Sequence, residues 1–256
     1  MAYTHGHSEP VLRSHRWRTA ENSCAYLLPH LRPDMNLLDV GCGPGSITAD
    51  LAGRVARAVG VDRSPEAIAA ASTDHPGIEF RTADLFELDG RYDVVHAHQV
   101  LQHLQDPLGA LRKLASLAAL VAVRDSDYEG FRWYPDDERL DRWRATYLAV
   151  TRRNGANADA GRRLVAWAHQ VGLTHVTFST STWTFADPAD RAWWGGLWAE
   201  RTASSSLSEQ AVSYGIASAG ELAEMAAGWR AWADHPDGVF VVVHGELLAE
   251  VPGRSP

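Results

Sequence analysis

The sequence predicts an open, doubly wound α/β sheet, and three observations carry that prediction. Short apolar runs alternate with helix-like segments through the first half of the chain, which implies parallel strands joined by helical crossovers. The runs are nearly continuous in apolar residues, as strands buried on both faces are. The first run ends in a glycine cluster, LLDVGCGPGSITAD at 37–50, where such sheets meet their ligands.

Taken in order, residues 37–40 read as a strand and 46–54 as a helix. A second strand covers 58–61 and ends at Asp62. Pro65 then opens a helix, a position that suits its fixed φ and missing N–H. Residues 78–81 and 92–97 are the third and fourth strands. Pro107 opens a helix through Leu117, and 120–123 form the fifth strand. Beyond Asp127 the charged, periodic segments 136–154 and 158–170 read as helices, 174–185 has strand composition, and 238–249 reads as a final strand. That makes seven strand candidates. The stretch 187–235 is too long for a hairpin loop. Its helical periodicity, rich in Trp and Ala, predicts a helical cap. The expected organisation is an N-terminal lid at 1–35, a core at 36–186 plus 237–251, and a cap at 187–236.

The bulk numbers narrow the function. A chain of 256 residues with 45% hydrophobic residues can bury one sizeable core. A formal net charge of -8 gives no general attraction to nucleic acid or anionic membranes, so neither is an expected partner. Two cysteines, Cys24 and Cys42, cannot build a disulfide framework. The polar, histidine-rich start has no apolar stretch of signal-peptide length. No run is long enough to span a membrane. A cytoplasmic protein, monomeric or homodimeric, is the expectation. No compact His/Cys/Asp spacing suggests a metal site.

The glycine cluster raises the sharpest question. Glycine weakens regular structure, so Gly41, Gly43 and Gly45 together imply a backbone that bends tightly or approaches something closely. The dinucleotide fingerprint G-x-G-x-x-G does not fit, because Gly45 arrives one residue early. The pattern here is D-x-G-x-G-x-G, led by Asp39, with no Lys or Arg between 37 and 50 to meet a phosphate.

LLDVGCGPGSIT resembles motif I of class I S-adenosylmethionine-dependent methyltransferases. Three further segments follow in that family's order: Asp62 at the end of the second strand, Ala83-Asp84-Leu85 after the third, and YDVVHAHQVLQHLQDP from Tyr92. The nearest resemblance is to the ubiquinone/menaquinone-biosynthesis type (methyltransferase type 11-like) and its relatives in secondary metabolism. It covers 37–125 well and the rest loosely. The resemblance implies a seven-stranded Rossmann-like sheet with an antiparallel last strand, and S-adenosylmethionine as cofactor, released as S-adenosylhomocysteine. It implies that Gly41, Cys42, Gly43 and Gly45 line the cofactor. Asp62 and Arg63 would stand by the ribose, Asp84 and Leu85 by adenine, and Ala97, His98 and Gln99 at the fourth strand end. Members often carry a Lys/Arg-Pro-Gly-Gly turn before the fifth strand, whereas this chain reads KLASLAA at 113–119.

The implied reaction is methyl transfer to a C, O or N atom of a small organic acceptor. His98, His103, Asp125 and Asp127 are the candidate bases, because strand ends in this fold face the site. Tyr3, His7, Trp17 and Arg18 are candidates for a lid contact, and Trp133, Tyr134, Trp194 and Trp198 for the acceptor wall. Each has a plainer reading: core histidine, helix cap, ion pair or core tryptophan. Two other functions fit the same motifs less fully. One is an S-adenosylmethionine-binding protein that catalyses a non-methylating reaction such as a cyclisation. The other is an NAD(P)-dependent oxidoreductase.

Overall fold

A computed structural model describes residues 17–254. After a short helix α1 (Ala20–Ser23), five strands follow, joined by helices except between the third and fourth, where a single 3-10 turn (Leu85–Glu87) intervenes: β1 (Asn36–Val40), α2 (Ser46–Ala52), β2 (Arg57–Asp62), α3 (Pro65–Asp74), β3 (Glu79–Thr82), β4 (Tyr92–His98), α4 (Pro107–Leu117) and β5 (Ala118–Ser126). Then come β6 (Arg132–Tyr134), α5 (Glu138–Arg153), α6 (Leu164–Gln170), β7 (Thr174–Phe185), α7 (Pro188–Ala203), α8 (Ser206–Ser213), α9 (Ala219–Asp234) and β8 (Val239–Glu250).

Local chemistry sets the helix starts. Ser64, Asp106 and Asp187 each cap a helix whose first residue is proline, and each side chain accepts backbone N–H bonds of the first turn. Ser218 and Glu221 form a reciprocal capping box on α9. The missing turn before the fifth strand has a simple outcome: α4 ends at Leu117 and β5 begins at Ala118, with no loop between them.

The described strands make one eight-stranded sheet in the order β3-β2-β1-β4-β5-β8-β6, with β7 also paired to β8. Strands β1 to β5 pair in parallel, and β8 runs antiparallel to β5, β6 and β7. The expected antiparallel last strand is present, but the sequence count of seven misses β6. The reason is geometric. Residues 244–250 of β8 pair with β5, and residues 239–241 of the same strand pair with β6. After the turn at Tyr128–Gly130 the chain simply resumes the line that β5 had followed.

Two apolar clusters sit against the parallel part of the sheet, one built on Val59, Val95, Val121 and Leu111 and the other on Leu37, Leu51 and Val94. A third is dominated by aromatic rings from α5, α7, α9 and β8. Trp143 stands edge-on to Trp198 at 4.7 Å and to Trp229 at 4.8 Å, the tilted arrangement that ring quadrupoles favour. No helix among the described residues is long and apolar enough to cross a membrane.

Candidate functional site

The strand order reverses between β1 and β4, and a cavity opens at the carboxyl ends of these strands. In an open α/β sheet this is where two neighbouring crossovers leave on opposite faces and part.

One end of the cavity is formed by backbone. Gly41, Gly43 and Gly45 all have positive φ, which L side chains rarely adopt. At Gly41 the space is closed as well: a Cβ would lie 2.5 Å from Val100 Cγ2. The turn is tied to the next strand, since the N–H groups of Gly41 and Cys42 both donate to Val61 O, at 2.7 and 3.0 Å. Asp62 fixes it further. Its Oδ2 accepts from Gly43 N at 3.1 Å and its Oδ1 from Ser64 N at 2.9 Å. Each oxygen keeps a lone pair for a hydroxyl donor. Asp84 accepts from Phe86 N at 2.9 Å, and Leu85 and Phe86 offer apolar surface beside it. Beneath the turn, Asp39 takes a hydrogen bond from Thr48 Oγ1 at 2.5 Å and pairs with His96 Nδ1 at 2.8 Å. Carboxylates for hydroxyl and amino groups, apolar surface for a base and no phosphate-binding cation in the glycine turn suit an adenosyl compound that carries a sulfonium.

Most of the residues expected around the cofactor meet here. Gly41, Cys42, Gly43, Asp62, Arg63, Asp84, Leu85, His98 and Gln99 line the cavity, whereas Gly45 and Ala97 do not. Gly45 is pressed on Phe80, and Ala97 is fully buried within β4. Burial pushes the Cys42 thiol up, which disfavours its thiolate form.

The other end is made of side chains from distant elements: His98, Gln99, Ser126, Tyr128, Phe131, Trp183, Trp194, Trp198, Arg201 and Val242. Gln99 holds it together from a strained backbone, φ 54, of the kind that collects at functional sites. Its Oε1 accepts from Arg18 Nη2 at 2.8 Å, and its Nε2 lies 2.9 Å from both Ser126 Oγ and His244 Nε2. Arg18 also lies over the Trp183 ring, 5.5 Å from its centroid.

His98 is the outstanding group. It is buried on the cavity wall, 5.7 Å from the Trp183 ring, and neither ring nitrogen has a hydrogen-bond partner among the described residues. Burial, reinforced by Arg18, Arg124 and His244, pushes its pKa well down and keeps the imidazole neutral. His103 also lines the cavity. Its Nε2 receives Gln102 Nε2 at 3.1 Å, and desolvation with Arg18 and Arg63 nearby pushes its pKa down.

Several expectations need correction. Asp125 does not reach the cavity. Side chains alternate along β5, so Ser126 faces the site while Asp125 is buried on the opposite face, accepting from Gln102 N at 3.2 Å. Burial pushes its pKa up to about 8. Asp127 does not reach it either. It accepts from Gly130 N at 3.2 Å and binds Arg162, whose Nε lies 2.6 Å away. Trp133 and Tyr134 lie on β6 rather than over the site: Trp133 stacks on Phe240 at 5.6 Å, and Tyr134 is exposed. Trp17 packs on Trp183, Phe185 and Trp193, while Arg18, Trp194 and Trp198 do line the cavity. Tyr3 and His7 lie outside the described residues.

Sequence reasoning missed Arg201 and Trp183. For Arg201 a signal existed, because Trp194, Trp198 and Arg201 recur at i, i+4 and i+7 on one helix face. Trp183 had only its place near the end of a strand.

Fold and site together define a Rossmann-like protein with a cavity at the switch point of its sheet that suits an adenosyl cofactor. The chain belongs to the methyltransferase-domain family, which matches residues 12–178. An uncharacterized methyltransferase of Schizosaccharomyces pombe is 28% identical over 97% of this chain and 96% of its own length. A ubiquinone biosynthesis O-methyltransferase of Rhodopseudomonas palustris is 31% identical over 38% of this chain and 43% of its own. The crystal structure of the cyclase SpnF has a similar fold, with a TM-score of 0.50 and 17% identity over 98% of this chain and 88% of that one. The protein is an S-adenosylmethionine-dependent methyltransferase.

Proposed function

We propose that the aromatic end of the cavity binds a small organic acceptor and that His98 takes the proton the acceptor gives up as it is methylated. The unpartnered, neutral imidazole on the cavity wall is the observation that supports this role. A buried polar group without a partner is costly unless something else meets it. A phenol, enol or activated C–H of an acceptor is such a partner; the neutral ring nitrogen offers the lone pair, and the proton arrives as the sulfonium gives up its charge, which offsets the opposition of burial and of Arg18 and Arg124 to a charged imidazole.

The glycine turn, Asp62, Asp84 and Leu85 would hold the cofactor. Bound S-adenosylmethionine supplies an electrophilic methyl carbon on a sulfonium. Gln99, fixed by Arg18, Ser126 and His244, shapes the boundary between the two ends. The aromatic wall excludes water from the place where the nucleophile is unmasked. Helices α7, α8 and α9 would act as the cap over this end, with acceptor choice residing in α7. Both cysteines are free, which suits a reducing compartment and supports a cytoplasmic setting.

The test uses S-adenosylmethionine with a labelled methyl group and a panel of phenols, enols and carboxylic acids. Label transfer to an acceptor is expected. The variant His98→Phe should keep S-adenosylhomocysteine affinity within about threefold and lose roughly 100- to 10,000-fold in turnover. Turnover close to wild type in that variant would remove His98 from the reaction. A product formed without label would point to a rearrangement such as a cyclisation.

A further inference from the structure

The acceptor end of the cavity is faced with flat rings in two layers. Tyr128, Phe131, Trp183, Trp194 and Trp198 line it, from the turn after β5, from β7 and from α7. Behind them stands a second set that does not reach the cavity. Tyr128 stacks on Tyr147 at 4.1 Å and 12°, and Trp194 on Phe185 at 4.3 Å and 9°. Trp198 is edge-on to Trp143 at 4.7 Å and nearly parallel to Trp229 at 5.9 Å. Tyr147, Phe185, Trp143 and Trp229 are each no more than 1% exposed. Trp183 is held differently. Its Nε1 donates to Asn22 O at 2.6 Å, and Arg124, itself paired with Glu246, lies 4.9 Å from its ring centroid.

Rings braced in this way cannot turn aside to follow a bent or branched ligand, because a buried cluster is packed as densely as an organic crystal. The walls therefore offer fixed faces and edges. A planar, rigid ligand meets them without losing rotational freedom, whereas a flexible chain must give up rotamers to fit. Ring-on-ring contact also adds attraction beyond the buried apolar area, which a saturated ring of the same size does not gain.

We infer that the acceptor is a planar, conjugated phenol whose ring system lies among Trp183, Trp194 and Trp198, with its hydroxyl toward His98. The inference rests on the methyl-transfer reading, which makes this end the acceptor's and His98 the group that takes its proton. It extends that reading from a small organic molecule to a chemical class, and it makes Trp194 and Trp198 residues that set specificity. Alkyl chains, saturated alcohols and sugars fall outside the class.

The test is a set of matched pairs. 1-Naphthol and 2-naphthol are each compared with their 5,6,7,8-tetrahydro derivatives, and trans-4-hydroxystilbene with 4-(2-phenylethyl)phenol. Each compound is titrated by calorimetry into protein with and without S-adenosylhomocysteine. Members of a pair share the position of the hydroxyl and nearly the same apolar area, so area alone predicts equal binding. At least one flat member is expected to bind about fivefold more tightly than its reduced partner, within the range of ring–ring contacts. Trp194→Leu should bring that ratio to within about twofold. Trp194→Phe, which keeps a flat face on Phe185, should preserve most of it. Binding of S-adenosylhomocysteine checks that each variant is folded, and where one is not, the wild-type ratios decide. The inference falls if no flat member exceeds its reduced partner, or if Trp194→Leu leaves the preference intact. Failure of wild-type protein to bind S-adenosylhomocysteine would sink the methyl-transfer reading instead, and the pairs titrated without it report on the ring walls separately.

Discussion

The cofactor end of the cavity is made by near-consecutive residues at three strand ends and is held by backbone hydrogen bonds. The acceptor end gathers side chains from β4, β5, β7, α7 and β8. At the first end the ligand meets a turn whose shape only glycine permits, with Gly41 N and Cys42 N tied to Val61 O. At the second it meets indole, imidazole and guanidinium groups supported by the aromatic cluster around Trp143, Trp198 and Trp229. The first end is fixed by backbone geometry that admits little variation. The second depends on side-chain packing, which can change its occupant without disturbing the turn. One fold can therefore keep its cofactor while its acceptor changes.

The largest expected effect lies at the glycine turn. Gly41→Val puts a branched side chain at φ 70, where even a Cβ would meet Val100 Cγ2 at 2.5 Å. Loss of more than about 100-fold in S-adenosylhomocysteine affinity is expected, of the order that a strain of about 3 kcal/mol produces. Calorimetric titration reads it. Near-native affinity would show that the turn is not the cofactor's cradle.

Next in size is Trp229→Ala, beneath the acceptor end. Trp229 is fully buried, and removing such a ring costs about 3–5 kcal/mol of stability. Under conditions where the variant remains folded, its S-adenosylhomocysteine affinity should stay within about twofold of wild type, as expected for independent sites. A fall in affinity matching the fall in stability would mean that the two ends act as one unit.

A smaller effect belongs to Asp125, the carboxyl buried at the end of β5 without reaching the cavity. Its pKa is pushed up to about 8 by burial, while an unfolded chain releases that proton near pH 4. Between those values the folded state holds a proton that the unfolded state has lost, so stability falls as pH rises. Asp125→Asn removes the titration. Denaturant unfolding should show the variant gaining on wild type by about 1–3 kcal/mol between pH 5 and pH 8. A difference independent of pH would mean that the carboxyl is ionised in the folded protein.

The same contrast explains what could be read from the sequence. Gly41 and Gly43 were legible because a tight turn leaves its mark in neighbouring residues, and Asp62, Asp84 and Leu85 because they follow in the order of the methyltransferase motifs that the sequence resembles. The acceptor end was legible only where one helix carries it, as Trp194 and Trp198 do. Trp183 reaches the cavity through the pairing of β7 with β8, which leaves no local signature. Two inferences from adjacency failed for physical reasons. Trp133 and Tyr134 follow β5 closely, but the chain continues along β8 instead of folding over the site. Asp125 sits at a strand end, but strand alternation turns it away and presents Ser126.

The most direct test of this account is a melting-temperature comparison of wild type and Asp62→Ala with S-adenosylmethionine, S-adenosylhomocysteine, NAD and NADP. A ligand that binds the folded state alone raises the melting temperature by mass action. The account predicts stabilisation of wild type by the two adenosyl–sulfur compounds only, and none for Asp62→Ala. Stabilisation by NAD or NADP instead, or an undiminished response in Asp62→Ala, would contradict it.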